Sequence, residues 1–588
     1  MKRIMVGILA AIGALTLAAV LLLVLGAAAV RLTRAGVASR TVLEANFETA
    51  LSEYVPEEPL AKALFGEQPT LRDTVEALER AGGDERVAGL LVRLGAAPLG
   101  MGQVQELREA VLRFRARKKF ALAFAETFGE FGPGGNAYYL ATAFDQIWLQ
   151  PSGDIGLTGV LAESFFLRGT LEKLGITPRM DHRYEYKNAM NVFTERKFTP
   201  AHREATERLV RSWAAQQVRG IAEGRRLGED QVRALVNRGP LLGREALEAR
   251  LVDGLAYRQE VYDKAKERAG RGAKLLALSQ YLRRAGRPHT KGKTIALIYG
   301  VGGVQRGKSG FDPVFGEVAM GSETVAGAFR AAARDKDVKA ILFRIDSPGG
   351  SYVASDTIWQ ETVRARKAGK PVIASMGDLA GSGGYFVAMA ADKIVAQPGT
   401  ITGSIGVLGG KMLTTGFWQK LGVTWDEVHE GANATFWTGA ADYTPAQWAR
   451  FQAWLDRIYD DFTSKVAEGR RLPKQRVLEI AKGRIWTGED AKALGLVDEL
   501  GGFETALKLA KQAAGIPEKE DVRLKLFPPK KSPLELIVER LSGKEAEPGE
   551  GDAGQQALLR ALKLVQPAAR RLRAVSGPPE VLAMPWRP

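Results

Sequence analysis

The chain repeats itself, and that repeat constrains its fold more than any other feature. "LQPSGDIGLTGV" at 149–160 matches "AQPGTITGSIGV" at 396–407, and "AEGRRL" at 222 recurs at 467. "ALEARLVDGL" at 246–255 matches "AKALGLVDEL" at 491–500, and "VAGLLVRL" at 87–94 matches "VKAILFRI" at 338–345. All four matches share a spacing of 245 to 251 residues. One common spacing marks a duplicated unit. A chain of 588 residues is also too long for a single core. The sequence therefore predicts two homologous modules, at 36–285 and 286–515.

Each module opens with short β-branched runs between helical stretches. In the second, "TIALIYG", "VKAILFRID", "PVIASM" and "KIVAQP" alternate with "TVAGAFRAAARD" and "ASDTIWQETVRARKAG". That alternation predicts βαβ units and an α/β fold with a mainly parallel, buried sheet. Two segments flank the modules. Residues 4–30 carry no charge, and at about 1.5 Å per residue they span a bilayer with some tilt. Residues 1–35 are therefore expected to be a cytoplasmic tip and a single transmembrane anchor; the apolar run is longer than the core of a cleavable leader, while "GAAAV" leaves cleavage open. Arginines after the span offset Lys2 and Arg3, so charge alone leaves the orientation open. Residues 516–588 read as an extension: "GKEAEPGEGDAGQQ" is a linker by composition, followed by a basic helix-like run.

Composition narrows the chemistry. There is no cysteine, hence no thiolate nucleophile and no cysteine metal site. The four histidines are scattered with no metal-ligand spacing, so no metal or cofactor is expected. The formal charge of +16 is interleaved with acidic residues, as in "HREATERLVRSW", which favours solvated faces or an anionic membrane over nucleic acid.

The two halves differ where chemistry is expected. In "GDLAGSGGYF", Ser382 stands in a run of small residues before a helix-compatible segment, a setting that presents a hydroxyl beside unpaired N–H groups. Laying "GPGGNAYYLATAFDQI" over "LAGSGGYFVAMAADKI" puts Gly135 opposite Ser382. Laying "YEYKNAMNVFTERKFTP" over "HEGANATFWTGAADYTP" puts Lys187 opposite Ala432. One half keeps a serine and the other a lysine, which is what a site shared between once-equivalent modules would produce. Lysine acts as a base only when neutral; burial lowers its pKa from about 10.4 by up to about 3–5 units. Tyr186, Met190, Val192 and Phe193 are candidates for its apolar pocket. The backbone N–H groups of Gly383 and of Gly350, in the "SPGG" loop, are the expected oxyanion donors. A fused pair favours pairing within one chain through high effective concentration, while pairing between neighbours stays open.

The motifs "RIDSPGGS", "GSGGYF", "TGSIGV" and "YKNA" resemble those of the long, tandem signal peptide peptidases of the protease IV type (SppA family), in the Clp/crotonase-like superfamily. The resemblance covers about residues 40 to 515. It implies two tandem Clp/crotonase-like modules (ββα-type superhelix) after one transmembrane helix, with Ser382 as nucleophile and Lys187 as general base. It also implies Ser404 as a hydroxyl that orients the lysine, a bacterial inner-membrane anchor with a periplasmic body, and a homotetramer. The implied substrates are signal-peptide remnants.

Three other readings compete. "GGVQRGKS" at 302–309 fits a phosphate-loop pattern, but "GFDPVFGEVAMG" follows, and Pro313 with three glycines argues against the helix such a loop needs. Arg344 also interrupts the strand that would carry a magnesium-binding Asp346. His429 is the one histidine after Ser382, yet nothing in "VHEGANA" singles it out as a base. A non-catalytic membrane scaffold on the same fold is the remaining alternative.

Overall fold

The structure is a computed structural model, and it describes residues 36–55, 69–95, 99–312 and 317–528. Its plan follows the duplication strand for strand. In the first module a parallel sheet runs in the order Gly254–Leu255, Gln146–Leu149, Phe120–Ala125, Val87–Leu94, Thr41–Phe47, Lys274–Ala277. The second repeats it as Glu499–Leu500, Lys393–Ala396, Val372–Gly381, Val338–Ser347, Lys293–Val301, Val522–Phe527. The central strands are apolar because helices cover both faces; in Val338–Ser347 only Lys339 is exposed. Both long helices, Pro200–Arg225 and Pro445–Arg470, start at the shared Thr-Pro. Thr199 and Thr444 each accept a backbone N–H as N-cap, and the proline takes the first helical position, where its missing N–H costs nothing.

Strand Val522–Phe527 corrects the expected end of the second module. It pairs in parallel with Lys293–Val301 as the counterpart of Lys274–Ala277, so the second sheet continues past residue 515. The strand follows the polar run "PEKED" and alternates charge with apolar residues, the pattern of an edge rather than a central strand. The phosphate-loop pattern leads into strand Gly310–Asp312, antiparallel to Glu317–Gly321, and not into a helix. The transmembrane span at 4–30 and the carboxy-terminal linker and basic helix lie outside the described residues. Among the described residues, no helix is long and apolar enough to cross a membrane.

Among the contacts that join the modules, two frame the site. Strand Thr177–Arg183 of the first pairs antiparallel with Val407–Leu413 of the second, with Arg183 opposite Val407. That register carries the chain directly after Arg183 alongside the chain directly before Val407. Deeper, Arg344 is fully buried and bridges Glu53 at 2.7 Å and Glu106 at 2.9 Å, both from the first module. The charge that interrupts strand Val338–Ser347 is thus an inter-module ion triad. A buried cation is tolerated only with such partners.

Candidate active site

Ser382 sits at the turn between strand Val372–Gly381 and helix Gly383–Ala388, with φ 53° and ψ −116°. A left-handed φ at a non-glycine residue costs of order 1–3 kcal/mol and persists only where the surroundings enforce it. Here the Ser382 N–H donates to Gly403 O at 2.9 Å, and its carbonyl accepts the Phe386 N–H at 2.8 Å. These bonds pin both sides of the residue and hold its Oγ at the helix entrance.

The strand register brings Lys187 to the same place. Its Nζ lies 2.9 Å from Ser382 Oγ, 2.9 Å from Ser404 Oγ and 2.7 Å from the Ser404 carbonyl oxygen. All three residues are buried, Lys187 to 2% exposure, and both partners belong to the same chain. Burial alone drives the Lys187 pKa down from 10.5 to about 7. A neutral amine has two N–H donors and one lone pair, which matches these contacts: Ser404 offers two acceptors and the Ser382 hydroxyl one proton. Ser404 also has a left-handed φ, 51°, and its N–H donates to Arg484 O at 2.7 Å. Of the predicted pocket residues, Met190 and Val192 are buried, whereas Tyr186 and Phe193 are only partly so. The Tyr186 ring stacks under the Arg484 guanidinium at 4.8 Å.

Gly350 and Gly383 adjoin the serine. Val304 N–H donates to Gly349 O, and Ser351 N–H donates to Val304 O. In such a bridge the amide of Gly350 faces away from Val304, and an ideal Cβ on Gly383 would lie 3.0 Å from it. Gly349 explains why the loop must be small: a Cβ there would lie 2.6 Å from Gly383 N and 2.7 Å from Ser382 Cβ. The arrangement assembles a hydroxyl, an amine whose pKa burial lowers and two adjoining backbone amides, the parts that acyl transfer requires.

His429, by contrast, lies in an exposed run and pairs with Glu427 at 3.6 Å. Among the described residues, the one cluster of three metal-ligand side chains is Glu79, His289 and Glu504. It bridges helix Leu71–Gly82, the inter-module linker and helix Phe503–Ala513, none of which carries Ser382, Lys187 or Ser404. The sequence reading did not single out the turn 482–484, where Gly483 packs on the Lys187 backbone, because the two positions lie in different modules.

Comparison with known proteins identifies the family. The profile of peptidase family S49 matches residues 116–271 and 364–517, once in each module. The chain is 31% identical over 472 residues to "Serine protease SPPA, chloroplastic" of Arabidopsis thaliana, covering 79% of this chain and 68% of that protein. It is 30% identical over 502 residues to "Protease 4" of Salmonella typhi, covering 82% and 79%. "Protease 4" of Haemophilus influenzae is likewise 30% identical over 473 residues, covering 77% and 74%. A ClpP1 mutant of known structure from Listeria monocytogenes aligns over 37% of this chain and 95% of its own, at 14% identity and a TM-score of 0.22. With two family matches in tandem and relatives of this length and identity, the chain belongs to peptidase family S49, in its tandem SppA form, and is a serine protease.

Proposed function

We propose that this protease is a membrane-anchored endopeptidase in which Ser382 is the nucleophile and Lys187 the general base. The observation that carries the reading is the buried, uncompensated Nζ within hydrogen-bond reach of Ser382 Oγ. Neutral Lys187 accepts the Ser382 proton as Oγ attacks the scissile carbonyl carbon. The tetrahedral oxyanion is received by the Gly383 and Gly350 N–H groups. The resulting ammonium returns its proton to the leaving amine as the C–N bond breaks. Water, deprotonated by the same amine, then attacks the acyl carbon, and the ammonium returns that proton to Ser382 Oγ as the ester bond breaks. Ser404 keeps Nζ oriented through both half-reactions.

Extended apolar peptides, signal-peptide remnants above all, are the substrates this reading assigns, paired to a strand edge near the site. Residues 4–30 anchor the enzyme in a bacterial inner membrane with the body in the periplasm. The duplication supports assembly as well. Strands Thr177–Arg183 and Val407–Leu413 pair within the chain, and their counterparts are residues 424–430 and 160–166. These counterparts leave Leu161 at 77%, Trp425 at 59% and Val428 at 103% exposure, a surface that a second copy would cover by repeating the same pairing head to tail. Such a heterologous contact builds a ring when its rotation closes, as the homotetramer requires.

Detergent-solubilised full-length protein is expected to hydrolyse apolar peptide amides and to take up a fluorophosphonate at Ser382, while Ser382→Ala does neither. A wild type inert to both, from mildly acidic to alkaline pH, would instead support a non-catalytic scaffold.

A further inference from the structure

Three backbone runs meet beside Lys187 with no side chains between them. Gly483 adopts φ +82°, and a Cβ on it would lie 2.5 Å from both Lys187 N and Lys187 Cβ, and 2.6 Å from its Cα. These atoms are backbone or fixed to it, so no rotamer change relieves the clash. Gly406 presses on the same turn: its Cβ would lie 2.8 Å from Gly483 Cα and 2.7 Å from Arg183 O. Hydrogen bonds cross the contact in both directions. Ser404 N–H donates to Arg484 O at 2.7 Å, Gly483 N–H to Ile405 O at 2.8 Å, and Tyr186 N–H to Lys482 O at 3.2 Å. Ser404, whose oxygens hold Nζ, and the backbone that carries Lys187 are therefore fixed to one turn.

The halves differ at that turn. The strand pair Asp154–Ile155 with Leu241–Leu242 is the counterpart of Ile401–Gly403 with Ile485–Thr487. This alignment puts Arg238 where the second module has Gly483. At this position the module with Gly135 in place of the serine thus has a side chain, with its own glycine, Gly239, one residue later, and the module that receives the lysine has none.

We propose, on the Ser382–Lys187 reading above, that Gly483 is a positioning residue. Having no side chain, it lets the turn 482–484 clamp the Lys187 backbone against Ser404, and so sets the reach of Nζ to Ser382 Oγ.

Gly483→Ala forces that backbone away. It is expected to lower kcat by roughly 10²-fold, the size of effect a misplacement of about 1 Å produces, with KM little changed. A lysine displaced from its dry seat regains water, so the midpoint pH of fluorophosphonate labelling moves up toward the ordinary lysine value. Gly495→Ala is the control: φ there is also left-handed, +78°, but its Cβ meets only the Leu472 side chain, at 3.4 Å. It adds backbone strain without touching the turn and is expected to keep the wild-type midpoint. If Gly483→Ala does not fold, Tyr459→Phe takes its place. The Tyr459 hydroxyl accepts the Lys482 N–H at 3.2 Å, and its loss loosens the turn without adding bulk; the midpoint is expected to rise in the same direction. An unmoved midpoint and kcat in the folded Gly483 variant, or in Tyr459→Phe where that variant is unfolded, overturns the proposal. Absent labelling in the wild type overturns the Ser–Lys reading beneath it instead.

Discussion

Lys187→Met leaves Ser382 without a base, and peptide hydrolysis is expected to fall by about 10²–10⁴-fold, the usual contribution of a general base. Methionine has a similar length and fills the same buried space, so the fold has no reason to change. Ser382→Ala removes the nucleophile and is expected to reach a floor at least as low. The two residues act as one unit, so the double variant should be little worse than the weaker single one. Steady-state kinetics on one apolar peptide amide, with all three variants at equal folded concentration, read this out. A Lys187→Met enzyme keeping more than roughly a tenth of the wild-type rate, against the base contribution just given, removes the lysine from the mechanism. Losses that multiply in the double variant would mean that the residues act independently.

The same substitution is expected to stabilise the protein. Burial holds the Lys187 pKa at about 7 in the folded chain, against 10.5 when exposed. Between those values the unfolded chain binds a proton that the native chain does not, so stability rises with pH across that window. The penalty is full below about pH 7 and disappears above about 10.5. At about 1.4 kcal/mol per pKa unit it amounts to about 5 kcal/mol. Lys187→Met escapes it but leaves the Ser404 oxygens without their donor, at about 1–3 kcal/mol. The net gain at pH 7 is therefore about 2–4 kcal/mol, shrinking as pH approaches the exposed-lysine value. Denaturant unfolding of both proteins at neutral and alkaline pH measures it. A variant less stable than wild type at pH 7, or a gap that does not narrow, would show that Lys187 does not sit uncharged in a dry site. Stability given up to hold a functional group in its reactive state is a common trade in enzymes.

Much of this site was readable because the duplication supplied an internal control. Ser382 by itself resembles a helix cap and Lys187 a surface lysine. Against Gly135 and Ala432 each became the retained member of a pair, and the structure brings the two within 2.9 Å. The parallel sheets were readable for a similar reason: their central strands are buried on both faces and so appear as unbroken apolar runs. Strand Val522–Phe527 was not, because an edge strand keeps charged residues on its solvent side and looks like part of a polar tail. Arg344 looked like an interruption, because its partners Glu53 and Glu106 lie hundreds of residues away in the other module. Gly483 was hidden for the same reason: the sequence shows that it is a glycine but not whose backbone it meets. The anchor at 4–30 and the basic carboxy-terminal run lie outside the described residues and stand as read from composition.

The central claim is that a neutral lysine from one half activates the serine of the other. Its most direct test is the pH dependence of fluorophosphonate labelling at Ser382, followed by intact mass on the full-length protein. Labelling should rise with pH through a single midpoint near the lowered Lys187 pKa of about 7, and Lys187→Met should label slowly with that midpoint gone. A midpoint unchanged in Lys187→Met, or a wild-type profile that is flat through neutrality, would contradict the account.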